Sequence, residues 1–312
     1  MDSHNPTPEQ RPGRLGGFGA LVLVQLFFGL FPVFGKLAFE GFTPRAVAGW
    51  RFLFGALALG GLAFWRYGRG MLPARGDWVR LQVCSLLGVA HNMLIFMEGL
   101  ERSSAVHAGL IMPVIPIWTF LIAVCVGQER FEWSRGLGLA LALGGTALLL
   151  FQKGLDLSSS SFVGDLCFVV NTFCYALFLV LSKPLLRRMA PLSLIAWIFI
   201  LSAWTVPLFA WNEDFTPAAA SGGAWLSLGY VLLFPTVIAY LLNTFALSRV
   251  SASTNATFIF LQPLVAVTGG VLILGEVFLR GTAWAAAVIL VGVWLVIRRR
   301  AAPAGDAGGR SR

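Results

Sequence analysis

The sequence predicts an all-α integral membrane protein with ten transmembrane helices, arranged as two inverted repeats of five helices each. Three observations support this fold class: a composition poor in charge, ten apolar runs, and an internal repeat at a fixed offset. Of the 312 residues, 57% are hydrophobic and only 12% are charged. Soluble domains carry about 25% charged residues, so this chain has too few charges to cover a surface in water. A cytosolic enzyme, a secreted disulfide scaffold and a disordered regulator are therefore excluded.

The apolar runs have the length that a membrane requires. A helix needs about 20 apolar residues to cross a hydrocarbon core about 30 Å thick. Ten runs approach this length, which leaves short connectors and no room for a soluble catalytic domain. In chain order the predicted spans are residues 17–38, 47–64, 81–97, 107–126, 137–151, 162–181, 192–211, 225–247, 254–274 and 284–297.

The positive charges of the chain are sorted by position. The formal net charge is +9, but the basic residues lie in short gaps between apolar runs, so nucleic acid is not a predicted partner. With the N-terminus in the cytoplasm, 17 of the 23 Lys and Arg residues fall on the cytoplasmic side, and 6 fall outside or within spans. Cytoplasmic loops carry an excess of basic residues, so both termini are predicted to be cytoplasmic. The expected location is the inner or plasma membrane, with lipids as partners.

The two halves of the chain repeat one another. A shift of 147 residues aligns landmark residues along nearly the whole length, and these matches are informative because they are not simply apolar. Among them are Lys36 with Lys183, Trp50 with Trp197, Arg102 with Arg249, Pro116 with Pro263, and Glu129 with Glu276. Each copy holds an odd number of predicted spans, so the second copy enters the membrane from the opposite side. Halves of opposite orientation around one central site are typical of secondary transporters.

This repeat divides the chain into four predicted parts. Residues 1–15 form a polar cytoplasmic tail, residues 16–152 the first repeat with spans one to five, and residues 153–300 the second repeat with spans six to ten. Residues 301–312 form a short cytoplasmic C-terminal tail.

Several short motifs of both copies resemble the EamA-type repeats of the drug/metabolite transporter superfamily. The motifs are Gly29, Pro32 and Lys36, then Trp50-Arg51-Phe52, Gly127-Gln128-Glu129, Gln262-Pro263-Leu264 and Leu274-Gly275-Glu276. The resemblance covers roughly residues 16–300 in two copies. It implies a ten-helix transporter with a central cavity and, often, export of amino acids, metabolites or drugs. One departure is that Arg51 aligns with Ile198, so a mechanism based on a symmetric arginine pair is not expected.

Polar side chains inside the spans form the candidate substrate site. A polar group in hydrocarbon is costly, so it faces either a cavity or a packing partner. Asn171 and Tyr175 share a helical face with small and aromatic residues, which suits an amphipathic solute as well as helix packing. The predicted substrate-binding residues are Asn92, Asn171, Tyr175, Tyr240, Asn243, Asn255 and Gln262.

Prolines are the candidate hinges and histidines the candidate proton-coupling residues. Proline removes a backbone hydrogen bond, so Pro32, Pro116 and Pro263 are predicted hinges. His91 and His107 are candidates for proton coupling because the pKa of histidine lies near neutrality, although a packing role is the alternative. Neighbouring residues point about 100° apart on a helix, so Asn92 rather than His91 is the better candidate for the cavity.

The predicted function is secondary transport of a small organic metabolite by alternating access. An amino acid or an amphipathic, aromatic solute fits the polar and aromatic residues, and export is the expected direction. The alternatives are an intramembrane enzyme, a channel or, within transport, an exchanger of organic phosphates or nucleotide sugars. No metalloprotease helix motif, nucleophile elbow or phosphate-binding loop occurs in the sequence, so no catalytic residue, metal or cofactor is predicted. A homodimer is left open.

Overall fold

The computed structural model describes residues 14–103, 108, 111–151, 162–265, 268 and 280–298, and the regular structure in these residues is helical, without a β-strand. The α-helices in the first half are α1 (Arg14–Phe39), α2 (Pro44–Tyr67), α3 (Trp78–Ser85), α4 (His91–Arg102), α5 (Ile115–Cys125) and α6 (Trp133–Phe151). Those in the second half are α7 (Phe162–Leu185), α8 (Pro191–Ala203), α9 (Val206–Phe209), α10 (Gly222–Val231), α11 (Ala239–Leu247), α12 (Ala252–Thr257) and α13 (Arg280–Arg298).

Six helical rods are long and apolar enough to cross a membrane. They are Leu15–Phe39, Pro44–Met71, Arg75–Arg102, Phe162–Leu185, Pro191–Phe209 and Gly222–Leu247. These rods cover the first, second, third, sixth, seventh and eighth of the predicted spans. Met112–Cys125 and Ala287–Val296 are shorter apolar helices, so the total of ten spans stays a prediction.

The outside of the bundle is apolar, as a surface in contact with lipid must be. Leu57 is 77% exposed and Trp133 is 83% exposed, and many other large apolar side chains lie open in the same way. A soluble protein would present polar groups at such positions.

Capping residues explain where several helices begin. Thr43 accepts a hydrogen bond from the backbone N–H of Ala46 at 3.1 Å, and Pro44 occupies the first turn of α2. Ser221 caps α10 and Ser251 caps α12 through the same kind of bond. These are residue types that satisfy the free N–H groups of a helix start.

Four irregular segments occur at matching places in the two repeats. The π-helical segments Leu86–Ala90 and Leu232–Ile238 join α3 to α4 and α10 to α11. The 3₁₀ turns Met112–Val114 and Phe258–Leu261 lie beside α5 and α12. Such segments bend a helix and are often found at functional sites.

Helices of one repeat pack against helices of the other in a two-fold pattern. α2 packs on α8, α5 on α12 and α6 on α13, while the contact of α1 with α11 is matched by that of α7 with α4. In the α6–α13 contact a Cβ added to Gly292 would lie 2.7 Å from the carbonyl oxygen of Gly138. The two backbones therefore touch, which is how small residues hold membrane helices together.

Candidate functional site

A cavity of about 170 Å³ lies at the centre of the bundle, between the two repeats. Its wall comes from α1, α2, α4, α5, α7, α11 and α12, together with the 3₁₀ turns beside α5 and α12 and the residues that follow the second of these turns. The lining is mostly apolar with a few convergent polar groups, which is the usual character of a ligand cavity. The structure brings together here all the side chains predicted to bind substrate: Asn92, Asn171, Tyr175, Tyr240, Asn243, Asn255 and Gln262.

Two asparagines cross-link α4 and α7 in the cavity wall. The amide nitrogen of Asn92 donates to the backbone carbonyl of Asn171 at 3.1 Å, and the amide nitrogen of Asn171 donates to the carbonyl of Asn92 at 2.6 Å. Both side chains are thereby held in place. Their Oδ1 atoms have no donor among the described residues, so they are acceptors available to a solute.

Two tyrosines and two asparagines form a second polar group. Asn243 donates to the hydroxyl of Tyr175 at 3.1 Å, and Asn255 donates to the backbone carbonyl of Asn243 at 3.3 Å. Tyr240 donates to the carbonyl of Gly88 at 3.1 Å, within the first π-helical segment. A Cβ on Gly88 would lie 2.5 Å from the ring of Phe178, so glycine allows this close approach of α7.

A glutamine pair connects α1 to the segment that follows the 3₁₀ turn Phe258–Leu261. The amide nitrogen of Gln262 donates to Oε1 of Gln25 at 2.8 Å. Gly29 permits the contact, because a Cβ there would lie 2.8 Å from Cβ of Val265. Gln25 was not among the predicted site residues, although it shares a face of the first span with Pro32.

Arg51 is the functional candidate that sequence reasoning missed. It is 2% exposed and lines the cavity from α2, where it is the only charged residue among the described lining residues. Its Nε donates to Oγ1 of Thr236 at 2.8 Å, and its guanidinium carbon lies 4.5 Å from the ring centroid of Phe31. An arginine inside an apolar run could have signalled the site, since charges within a membrane are usually functional.

Only some of the predicted hinges and proton carriers line the cavity. Pro32 and Pro263 line the cavity. Pro116 is buried in the first turn of α5 and does not line it. His91 is exposed and also lies outside the lining, although its neighbour Asn92 belongs to it. His107 lies outside the described residues, as do nearly all residues of the two predicted tails.

Equivalent positions of the two repeats line the cavity together. Lining residues 147 positions apart occur in pairs, and in all but one pair the first-repeat residue is apolar and the second-repeat residue is polar. The pairs are Val24 with Asn171, Phe28 with Tyr175, Met93 with Tyr240, Phe96 with Asn243, Ala108 with Asn255, Met112 with Ile259, and Ile115 with Gln262.

A buried polar cluster joins the repeats close to Asn255. Glu129, after α5, forms an ion pair with Arg135 of α6, and each side chain is only 4% exposed. Ser253, at the start of α12, donates to the same carboxylate through its hydroxyl and its backbone N–H. The Glu129 carboxylate therefore ties the first repeat to the second.

Lys183 makes a link within the second repeat, between α7 and the end of α11. Its ammonium group donates to the backbone carbonyls of Leu247 and Val250, at the end of α11. In the topology predicted from the sequence, Lys183 and Glu129 both lie toward the cytoplasm.

An apolar cavity with convergent polar groups, held between two matching halves of a membrane-spanning helical protein, is the arrangement typical of solute transporters. The chain belongs to the EamA-like transporter family, whose sequence pattern matches residues 15–151 and 162–298. The match covers both repeats, so the predicted family and its two-repeat architecture are confirmed. With its six long apolar helices, the chain is an integral membrane protein.

Relatives of the chain are transporters of low sequence identity. An uncharacterized transporter of Archaeoglobus fulgidus is 24% identical, over 90% of this chain and 96% of the relative. A probable terminal-alkyne amino-acid exporter of Streptantibioticus cattleyicolor is 26% identical, over 73% of this chain and 75% of the relative. A solved structure described as the crystal structure of a protein matches with a TM-score of 0.75 at 18% identity, over 93% of this chain and 99% of that chain. This last match shows the fold alone.

Proposed function

We propose that the protein moves a small amphipathic organic metabolite across the membrane by alternating access, with an amino acid or an aromatic solute as the substrate and export as the direction. The central cavity carries this proposal. Its rings and aliphatic side chains supply contact area, while the amides of Asn92, Asn171 and Gln262 orient the solute through a few hydrogen bonds. The amino-acid exporter among the relatives supports the same substrate class.

The matching irregular segments support alternating access. Pro32, Pro116 and Pro263 are the hinges in this proposal, because each lies in or beside a helix that lines the cavity. The links of Glu129 to Ser253 and of Lys183 to the end of α11 break when the cavity opens toward the cytoplasm. The equivalent helices of the other repeat then close the opposite side.

The alternative functions have less support. Relatives and family are transporters rather than enzymes, and in the described part of the chain no three His, Cys, Asp or Glu residues are grouped to hold a metal. An organic phosphate calls for several cations, whereas the described lining holds Arg51 alone. A channel and a carrier differ in kinetics, which the following experiment measures.

Counterflow into proteoliposomes tests the function. Purified protein is reconstituted with one unlabelled solute inside, and uptake of its labelled form is measured for panels of amino acids, aromatic metabolites and organic phosphates. We expect saturable, trans-stimulated uptake of an amino acid or aromatic solute. Exchange restricted to phosphorylated compounds, or uptake that never saturates, would contradict the proposal.

Variants of the cavity test the site in the same assay. Asn171→Ala and Gln262→Ala each remove an amide from the wall, and we expect transport efficiency to fall about tenfold, since a lost hydrogen bond in a buried site is worth about 1–2 kcal/mol. Leu57→Ala changes an exposed, lipid-facing side chain of α2 and is the matched control. The assignment of the cavity fails if both amide variants behave like Leu57→Ala.

A further inference from the structure

Arg51 is a buried cation that has no carboxylate partner within the described part of the chain. Among the described residues no carboxylate forms an ion pair with it, whereas Arg135 and Arg188 each have an Asp or Glu partner. Its partners in the structure are the hydroxyl of Thr236 and the face of the Phe31 ring. Removing an arginine from water without a counter-charge is costly, so we expect an anionic group of a ligand to pair with it in the cavity.

The donors of Arg51 are only partly used. A guanidinium carries five N–H groups in a rigid plane. The Nε donor is taken by Thr236, and the donors of the two terminal nitrogens have no acceptor among the described residues. Because Arg51 lines the cavity, these donors form a free fork with the geometry that binds both oxygens of a carboxylate.

We infer that Arg51 binds the carboxylate of the transported solute, so that the substrate class is the monocarboxylates with an apolar or aromatic body, amino acids included. This inference rests on the proposed transport function and deepens it. Thr236 and Phe31 are positioning residues: the hydroxyl fixes Nε from one side, and the ring lies against the guanidinium plane. Met93 and Phe96 of α4 then offer apolar area to the body of the solute.

The charges of the cavity lining predict which functional group of a solute contributes more to binding. The described lining holds no Asp or Glu, so an amino group finds only neutral acceptors such as the Oδ1 atoms of Asn92 and Asn171. A carboxylate finds a full positive charge. Loss of the carboxylate from a substrate should therefore weaken binding more than loss of the amino group.

Ile198 makes the site one-sided. It occupies the position equivalent to Arg51 in the second repeat and is completely buried in the core. The carboxylate therefore has one cation to bind, next to α2, among the described lining residues.

A ligand series on the unmodified protein provides the first test. Counterflow and competition are measured with L-phenylalanine, with 3-phenylpropanoate, which lacks the amino group, and with phenylalaninamide, which lacks the carboxylate. We expect the first two to compete within about tenfold of each other and phenylalaninamide to be weaker by about tenfold or more, the size of a charge-assisted pair. Equal competition by phenylalaninamide, or by inorganic phosphate or chloride at the same concentration, overturns the inference.

Substitution of the arginine provides the second test. Arg51→Gln keeps a donor toward Thr236 and removes the charge, so carboxylate competition should fall about tenfold to hundredfold while that of phenylalaninamide stays unchanged. Arg66→Gln, at the exposed end of the same helix, is the control. Unchanged carboxylate binding by Arg51→Gln contradicts the inference, and if that variant does not fold, the ligand series decides.

The two proposals fail in different ways. If the unmodified protein transports uncharged amphiphiles and ignores carboxylates, the role of Arg51 is wrong and the transport function stands. If it transports no organic solute from any panel, the proposed function fails and the role of Arg51 fails with it.

Discussion

The two walls of the cavity come from equivalent positions of a duplicated sequence, yet they differ in chemistry. Phe28 and Met93 in the first repeat correspond to Tyr175 and Tyr240 in the second. The backbone kept its symmetry, since π-helical segments and 3₁₀ turns recur at matching places. The side chains did not: at six of the seven equivalent lining pairs the first-repeat residue is apolar and the second-repeat residue carries a hydroxyl or amide group, while the polar lining residues Gln25, Arg51 and Asn92 of the first repeat have no polar lining counterpart. Duplication therefore explains the matching backbone, and divergence of the side chains explains the unequal polarity of the equivalent positions.

The largest expected effect comes from moving the charge to the equivalent position. Ile198→Arg places a cation in a fully buried part of the core that does not line the cavity. We expect a destabilisation of about 3 kcal/mol or more, because the charge has no partner and no cavity. The measurement is the yield of monodisperse protein in detergent and its thermal unfolding. Ile198→Val is the control, for which we expect a loss of about 1 kcal/mol in the free energy of unfolding. If Ile198→Arg were as stable as the wild type, positions 51 and 198 would be alike in tolerating a cation.

The backbone symmetry of the two repeats is tested at the α6–α13 contact. Gly145 and Gly292 are equivalent, and a Cβ would lie 3.0 Å from the backbone nitrogen of Ile289 in the first case and 2.6 Å from that of Ala142 in the second. We expect each Gly→Ala change to reduce the free energy of unfolding by about 1–3 kcal/mol through overpacking, measured as a lower unfolding temperature. Gly144→Ala, where the added atom meets open space, should be neutral. A loss confined to one of the two equivalent glycines would break the symmetry.

The difference between the walls predicts unequal effects at one equivalent pair. Gln262→Leu removes the amide that donates to Gln25 and should lower transport efficiency about tenfold. Ile115→Leu changes the equivalent residue of the first repeat and should lower transport efficiency about threefold or less, because the substitution conserves volume. Counterflow rates at several solute concentrations measure both. Equal losses would mean that the walls do not differ in function.

The smallest effect is expected where one wall is made to resemble the other. Phe28→Tyr copies the residue of the second repeat, and Phe28 packs edge-on against Tyr240 with ring centroids 5.8 Å apart. The added hydroxyl should weaken binding of an aromatic solute about twofold to threefold and change stability by less than about 0.5 kcal/mol. Competition assays and thermal unfolding measure the two quantities. Tighter binding of an apolar solute by Phe28→Tyr would contradict the division of the walls.

Much of the site was predictable because its residues are chemically conspicuous. Asparagine, glutamine and tyrosine inside apolar runs stand out, and helical spacing predicted which of them share a face, as for Asn171 and Tyr175. Arg51 stands out in the same way, but a single helix cannot show whether its arginine meets lipid headgroups, a carboxylate or a cavity. Its neighbour Thr236 lies 185 positions away in the chain.

The placement of two prolines depended on packing in the same way. Pro116 and Pro263 are equivalent in sequence, yet only Pro263 lines the cavity. Their neighbours belong to helices far away in the chain, and local sequence carries no record of them. The preference for Asn92 over His91, by contrast, came from helix geometry, and in the structure Asn92 is buried and His91 is exposed.

By itself, the sequence determined that this protein lives in a membrane, that it consists of two copies of one unit, and to which family it belongs. The first two properties follow from composition, apolar run length and a constant offset, and the third follows from short motifs that resemble EamA-type repeats; all of these are local or additive features. Only the tertiary structure decided that the polar residues meet in one cavity, that equivalent lining positions differ in polarity, and that Arg51 lines the cavity with no carboxylate partner among the described residues. Those facts depend on how helices cross, and close crossing is set by contacts such as Gly88 with Phe178 and Gly138 with Gly292.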